Sequence, residues 1–383
     1  MTVFCYRLSG VIKAVTPLHV GSGARRGVIK RCLPFITGAA VRGAVGTALI
    51  KVVCKRDKPL INHENCENFD DCVYTRLFGE EFGKTSKVFF RYAYPAHISC
   101  TGMFRPAPRT LYRCSNPQCR YTLESFTPPE ICKCEGSLKP YTGYRCEVCG
   151  QLENLPVSIF RITATAIDRE NRSAATVKTE IKEDAAGTIH VLEVVNRNSR
   201  FHFEVIIDGN CEAEANILKK IFERALPDEG IGGAKSRGLG KIEVENVKLE
   251  AISTSDLEKR ADKIDTTRFH VRLASPMLLD GKLLDPSSLT ESARRAYSWA
   301  MREGKPQLPE IKLKHWAVDS ELYSGWRLKE NKRRRIESAI SAGSMFQFEC
   351  QEKSRELALG LAALEHYAIG AYKPHGCGQI IIE

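Results

Sequence analysis

One glycine pattern occurs twice in this sequence, each time with the same neighbours, and that repetition limits what the chain can fold into. Ile231-Gly-Gly-Ala-Lys-Ser-Arg-Gly-Leu-Gly-Lys-Ile242 follows an amphipathic stretch, Ala213 to Leu226, with Ile217, Leu218, Ile221 and Phe222 on one face. That stretch follows the strand-like Phe201-His-Phe-Glu-Val205. At the far end, Met345-Phe-Gln-Phe-Glu349 precedes an apolar stretch with Leu357, Leu361 and Leu364, and then Ile369-Gly-Ala-Tyr-Lys-Pro-His-Gly-Cys-Gly-Gln-Ile380. The openings also correspond: Tyr6-Arg-Leu-Ser-Gly10 with Thr16-Pro-Leu-His-Val-Gly21, against Val271-Arg-Leu-Ala-Ser-Pro-Met-Leu-Leu-Asp-Gly281. Each half has enough strands for a four-stranded sheet covered by helices, the split βαβ or ferredoxin-like arrangement. The expected fold is α+β, two tandem ferredoxin-like (RRM-like) domains. The first spans residues 1–252, a charged linker 253–267, and the second 268–383.

Local signals fit this division. Phe4 to His19 reads as a strand, and Thr37 can cap a helix from Gly38 to about Lys55, with Val41, Val45, Ala48 and Leu49 at helical spacing. Gly43 and Gly46 are poor helix residues, so close backbone packing is expected there. Ser158 to Ile167 is a strong strand pattern running into the charged stretch Asp168 to Ser173, and His190 to Val195 is another strand. Residues 96–155 carry prolines, glycines and cysteines without periodicity, and read as an insertion into the first domain.

The chain has 15 cysteines among 383 residues and no basic segment followed by an apolar leader, so a secreted disulfide framework is not expected. Six cysteines crowd the insertion: Cys114 and Cys119, Cys132 and Cys134, Cys146 and Cys149. Four of these six are expected to bind a structural Zn²⁺, with Cys146-Glu-Val-Cys149-Gly150 as one knuckle and its partner pair open. Cys66 and Cys72 read as unrelated thiols. No apolar run is long enough to cross a membrane, and a cytoplasmic protein without membrane contact is expected. The net charge of +11 favours a polyanionic partner.

Three basic features could meet such a partner. In the first glycine turn, Gly232, Gly233, Gly238 and Gly240 allow close backbone approach, while Lys235, Ser236 and Arg237 supply donors at the same place. A strand follows it, so it is neither a P-loop nor a dinucleotide fingerprint. The loop carrying His19, Gly21, Ser22, Arg25 and Arg26, with Arg42 near the next helix start, is a second candidate. Lys332 to Arg335 is a third, although such a run is commonly a solvated helix face. His19 could serve as a general base on a ribose 2′-OH; a packing or RNA-contact role is the plainer reading.

These stretches resemble the RAMP superfamily of CRISPR ribonucleoprotein subunits, marked by a glycine-rich loop of the form seen at Gly232 to Gly240. Thr16 to Gly21, Pro34 to Gly43, Ile162 to Ala175 and the weaker loop Gly370 to Gly378 bring the resemblance closer to the Csx-type two-domain RAMP subunit of type III-D effector complexes. The resemblance implies a non-catalytic subunit that binds crRNA at its 5′ repeat handle and docks the large polymerase-like subunit and the RAMP backbone subunits in prokaryotic antiviral defence. In the charged stretch, Asp168 could bind metal or orient RNA, although a turn residue or a partner to Arg169 or Arg172 is the plainer reading. Asp168, Arg169 and Arg172, with Lys373 and His375 as the polar groups of the second loop, complete the expected RNA contacts. Cleaving backbone subunits of the superfamily carry an aspartate after the first strand; Gly21 to Pro34 contains neither Asp nor Glu. RAMP processing enzymes use a histidine, which leaves metal-independent cleavage of precursor crRNA through His19 as the alternative. A zinc-stabilised interaction module without RNA contact is the third reading.

Overall fold

Strand β1 (Val3–Ala14) turns Tyr6, Leu8, Ile12 and Ala14 toward one core. A register shift between Val3 and Cys5 sends Phe4 to the opposite face and into a second core. The computed structural model describes residues 2–26, 28–54, 66, 71–79, 85–165, 167–168, 173–174, 176–179, 182–187, 189–279, 283–327 and 332–383. The architecture is mixed α+β and rich in sheet.

In chain order, β1 is followed by β2 (Gly21–Arg26), β3 (Ile29–Cys32), helix α1 (Gly38–Val53), β4 (Val88–Phe90) and β5 (Tyr94–Pro95). After the insertion come β6 (Ile159–Thr165), β7 (Ile189–Val195), β8 (Arg200–Asp208), α2 (Glu212–Lys220), β9 (Ile242–Ser253) and α3 (Thr254–Ala261). The second half holds β10 (Arg268–Leu273), α4 (Pro286–Met301), β11 (Ile311–Ala317), β12 (Met345–Cys350), α5 (Arg355–Tyr367) and β13 (Ile380–Ile382).

Two antiparallel sheets organise these elements. The first runs β9-β1-β8-β4, with β5 also on β8; the second runs β11-β12-β10-β13. Counting only the sheet strands within each half, both have the order 4-1-3-2 of the split βαβ arrangement. Helix α1 begins where expected: Thr37 is extended and its Oγ1 accepts from the Ala40 amide at 3.2 Å. Helix α2 continues through a π turn, Ile221–Ala225, and seats Phe222 against Phe203, ring centroids 4.5 Å apart.

The far face of the first sheet is covered by the second half. Phe4 meets Trp299 edge-on at 5.5 Å, Asp208 accepts from the Trp299 indole at 3.1 Å, and the Tyr94 hydroxyl donates to the Ala274 carbonyl. The expected linker contains a packed helix. In α3 the Ser253 hydroxyl and Asp256 carboxylate form a capping box, Leu257 and Ala261 enter the second core, and Arg260 holds Glu365 at 2.8 and 2.9 Å. Its surface is so polar that composition alone hides those two buried residues.

The insertion forms two small three-stranded sheets around Ala107, Leu111 and Tyr141. Elsewhere β6 pairs with β7, which runs parallel to β3, so this arm and the loop after β1 share one sheet, β6-β7-β3-β2. No helix among the described residues is long and apolar enough to cross a membrane.

The two kinds of glycine separate on this scaffold. A Cβ at Gly43 in α1 would meet nothing within 4 Å, so close packing does not require glycine there. Gly378 has φ +71° and its Cβ would overlap the Ile369 carbonyl. Gly43→Ala is expected to stabilise the protein by about 0.5–1 kcal/mol, and Gly378→Ala to destabilise it by about 3 kcal/mol or more. Denaturant melts of the two variants check the contrast.

Candidate nucleic-acid interface and metal centres

The first glycine turn is closed by the Ile231 amide donating to the Gly240 carbonyl at 2.9 Å. It is tied to the exit of β1 by two more bonds: Gly233 N–H to the His19 carbonyl at 2.8 Å, and Gly240 N–H to the Pro17 carbonyl at 3.0 Å. Gly232 sits at φ +92°, and a Cβ there would lie 2.6 Å from the His19 carbonyl oxygen, so only glycine allows this approach. Between the two tie points, Lys235–Arg237 makes one 3₁₀ turn, and residues 235–238 are exposed. The structure therefore brings His19 together with Gly232, Gly233, Lys235, Ser236, Arg237, Gly238 and Gly240.

The cations of this turn already have protein partners. Lys235 donates to the Glu229 carbonyl at 3.1 Å and pairs with the Glu229 carboxylate, which also holds Lys51 at 2.6 Å. Burial alone would raise the Glu229 carboxyl, but the bonds from Lys235 and Lys51 outweigh it and hold the group below its usual range. The Arg237 guanidinium meets His190 Nε2 at 2.7 Å. An incoming phosphate would meet the exposed side of Lys235, whose carboxylate partner Glu229 is itself only 8% exposed.

His19 is half-buried, and its Nδ1 lies 2.7 Å from the Glu193 carbonyl. Burial lowers its pKa, so the ring is neutral near pH 7, donates from Nδ1 and leaves Nε2 as an acceptor. Gly21 is exposed and Ser22 Oγ is 3.5 Å from the Arg31 carbonyl. Arg25 and Arg26 lie in β2, paired with Lys30 and Ile29, and Asp168 lies in a short strand paired with Ser173; the side chains of Arg25, Arg26 and Asp168 are outside the described residues, as are Arg169 and Arg172 altogether. Lys332–Arg333 pairs as a strand with Trp326–Arg327, so that basic run is not on a helix.

The second turn has the same backbone. Ile369 N–H donates to the Gly378 carbonyl at 2.8 Å, Ala371 N–H to the Leu278 carbonyl at 3.0 Å, and Gly378 N–H to the Pro276 carbonyl at 2.7 Å. Ala234 and Tyr372 both take the left-handed conformation ahead of the 3₁₀ turn, and Gly238 and Gly376 take it after. The surroundings are opposite. Residues 374–380 are buried, and the His375 carbonyl lies against Gly38 at the start of α1.

Three of the expected RNA contacts lie against protein. His375 is 8% exposed and its Nε2 accepts from Arg334 at 2.9 Å; burial, with Arg42 and Arg334 nearby, pushes its pKa down to about 2. Arg42 is 4% exposed, its guanidinium 4.4 Å from the Phe78 ring centroid. The Lys373 ammonium lies 3.5 Å from the ring centroid of Tyr367. Arg42 packs on a ring of its own half, Lys373 lies over a ring of its own half, and the neutral His375 is enclosed where the second turn meets the start of α1.

The insertion holds two clusters that could each bind a metal ion. Cys114, Cys119, Cys132 and Cys134 form one, with Cys114 and Cys134 sulfurs 3.4 Å apart and Cys119 and Cys132 sulfurs 3.9 Å apart. Zn–S bonds of about 2.3 Å at the tetrahedral angle put ligand sulfurs about 3.8 Å apart, so the spacing fits. The Gly136 amide and the Cys114 thiol pull the Cys134 pKa down to about 7, toward the thiolate a metal requires. Cys146 and Cys149 join neither of the pairs expected for them. Their partners are His97 and Cys100, which the sequence reading missed. The available signal was spacing: His97-Ile-Ser-Cys100 has the same two-residue gap as Cys146-Glu-Val-Cys149.

A model of the RAMP superfamily matches residues 11–243, more than half of the chain. The chain belongs to the RAMP superfamily. A second model, CRISPR-associated protein (Cas_Cmr3), matches residues 174–383 of this RAMP protein and also covers more than half of it. The CRISPR system Cms endoribonuclease Csm3 of Methanocaldococcus jannaschii is 32% identical over 99 residues, which is 20% of this chain and 40% of that relative. Among solved structures, a Cas6 product complex aligns over 100% of both chains at TM-score 0.42 and 9% identity. The type III-B Cmr-beta complex bound to cognate target RNA contains a chain that aligns over 63% of this one and 98% of its own length, at TM-score 0.34 and 15% identity.

Arg42→Ala is expected to cost about 1–3 kcal/mol of stability through lost packing on Phe78, and to leave the salt dependence of RNA binding unchanged. Denaturant melts and filter binding over a salt series check both halves of that expectation.

Proposed function

We propose that this RAMP protein is a non-catalytic crRNA-binding subunit of a type III CRISPR effector complex. It grips the 5′ repeat handle and docks the large polymerase-like subunit beside RAMP backbone subunits, in the cytoplasm of a prokaryote. In finer detail, it is a Csx-type subunit of a type III-D complex. Its two sheets are the cores of tandem ferredoxin-like domains, 1–252 and 268–383, and the insertion is ordered by structural Zn²⁺ at Cys114, Cys119, Cys132 and Cys134. The observation that carries the RNA reading is the contrast between two turns of one backbone form: the first exposes residues 235–238 with Lys235 and Arg237, and the second is covered.

Backbone amides and flanking cations suit phosphate contact more than base readout. Gly21, Ser22, Arg25, Arg26, Asp168, Arg169 and Arg172 extend the proposed RNA path along the first loop and the arm. One observation favours a second reading, metal-independent cleavage of precursor crRNA. The Nδ1 contact of His19 leaves Nε2 free to accept a proton, the geometry of a general base.

A repeat-containing RNA titrated over a salt series separates the readings. The first expects uncut RNA in EDTA, and a log K against log salt slope reduced by about 1–2 when Lys235→Ala and Arg237→Ala are combined. Cleavage in EDTA that His19→Ala abolishes supports the second reading and overturns the first.

A further inference from the structure

We propose that His97, Cys100, Cys146 and Cys149 bind a second Zn²⁺, and that this ion fastens the second half of the molecule to the insertion by fixing Glu147. The four ligand atoms lie within 4.8 Å of one another. His97 Nδ1 is 3.1 Å from Cys100 Sγ and 3.3 Å from Cys149 Sγ; Cys100 Sγ is 3.5 Å from Cys146 Sγ and 3.9 Å from Cys149 Sγ. These edges match a tetrahedral ion with three sulfur ligands and one nitrogen, and the sulfur separations are far longer than a disulfide's roughly 2.05 Å.

Two short segments deliver the ligands. His97 and Cys100 lie in a turn closed by the His97 amide donating to the Gly102 carbonyl at 2.9 Å. Cys146 and Cys149 lie in a knuckle closed by the Gly150 amide donating to the Cys146 carbonyl at 3.0 Å. A Cβ on Gly102 would lie 2.7 Å from Cys146 Sγ, so glycine keeps the two segments in contact. The neighbouring strands Phe104–Pro106 and Tyr144–Cys146 pair, with Cys146 opposite Phe104.

Glu147 sits inside the knuckle, between two of the ligands. Its carboxylate receives a two-pronged bond from Arg272 of β10, Nη1 to Oε1 at 2.9 Å and Nη2 to Oε2 at 2.7 Å. Arg272 is 5% exposed, and its Nε donates to Glu383 at 2.7 Å, beside β13. The pair is part-buried, with Arg272 enclosed and the Glu147 side chain 22% exposed, and the desolvation of the guanidinium is repaid only when the geometry is held. The Glu147 amide bond to the Met103 carbonyl and the ligands on either side supply that restraint. Without the ion, the knuckle has little core of its own to fix the carboxylate opposite β10.

Metal analysis and hydrogen exchange on the full chain test the proposal. The purified protein is expected to carry two zinc ions, one per cluster, and Cys100→Ser to carry one. Exchange at residues 268–273 is expected to rise by about tenfold or more in Cys100→Ser. Glu147→Gln, which leaves every ligand in place, is expected to raise exchange equally while keeping both ions. A single ion that disappears in Cys119→Ser but not in Cys100→Ser overturns the second site and leaves the first centre standing. Unchanged exchange at 268–273 in Glu147→Gln overturns the fastening role.

Discussion

The glycine turn exists because its amides reach carbonyls at the exit of β1, the strand that pairs directly with β9, which the turn leads into. Pro17 and His19 accept from Gly240 and Gly233, and the approach is too close for any side chain at Gly232. That contact joins the first strand of the sheet to the last, and it also fixes what a ligand could meet. The backbone is locked at both ends, and Lys235, Ser236 and Arg237 project as one short exposed turn between them. The same locking recurs through Pro276 and Leu278, so the form of the turn is a property of the fold and its use depends on what lies against it.

Packing decides that use. The second turn lies against Gly38 at the start of α1, with Lys373 over the Tyr367 ring and His375 meeting the Arg334 guanidinium. Desolvating a guanidinium or an imidazolium is expensive unless something compensates. Here Phe78 faces Arg42, and His375 stays neutral beside Arg334. The second half thus serves the first as a cover, reinforced by Phe4 on Trp299 and by Arg272 on Glu147. The first turn keeps its apex in solvent.

Much of the framework was legible in the residues. Thr37 marks the start of α1, the glycine spacing marks both turns, and the clustered cysteines mark the insertion. These signals are local, set by capping, positive φ and short ligand gaps. What was not legible depends on distant parts of the chain meeting. Arg42 and His375 read as surface cations because nothing near them in sequence shows the cover. His97 and Cys100 went unnoticed because their partners lie more than forty residues away, brought in by strand pairing. Helix α3 passed as a linker although Ser253 and Asp256 carry a capping pattern, since only Leu257 and Ala261 mark its buried side.

The central claim is that one of two equivalent backbone turns meets RNA and the other does not. Photo-crosslinking of the bound guide RNA, read out by mass spectrometry, tests it most directly. The account expects crosslinks within residues 16–22 and 233–241 and none within 372–378. Crosslinks at 372–378, or none at 233–241 in a complex that retains its RNA, would contradict it.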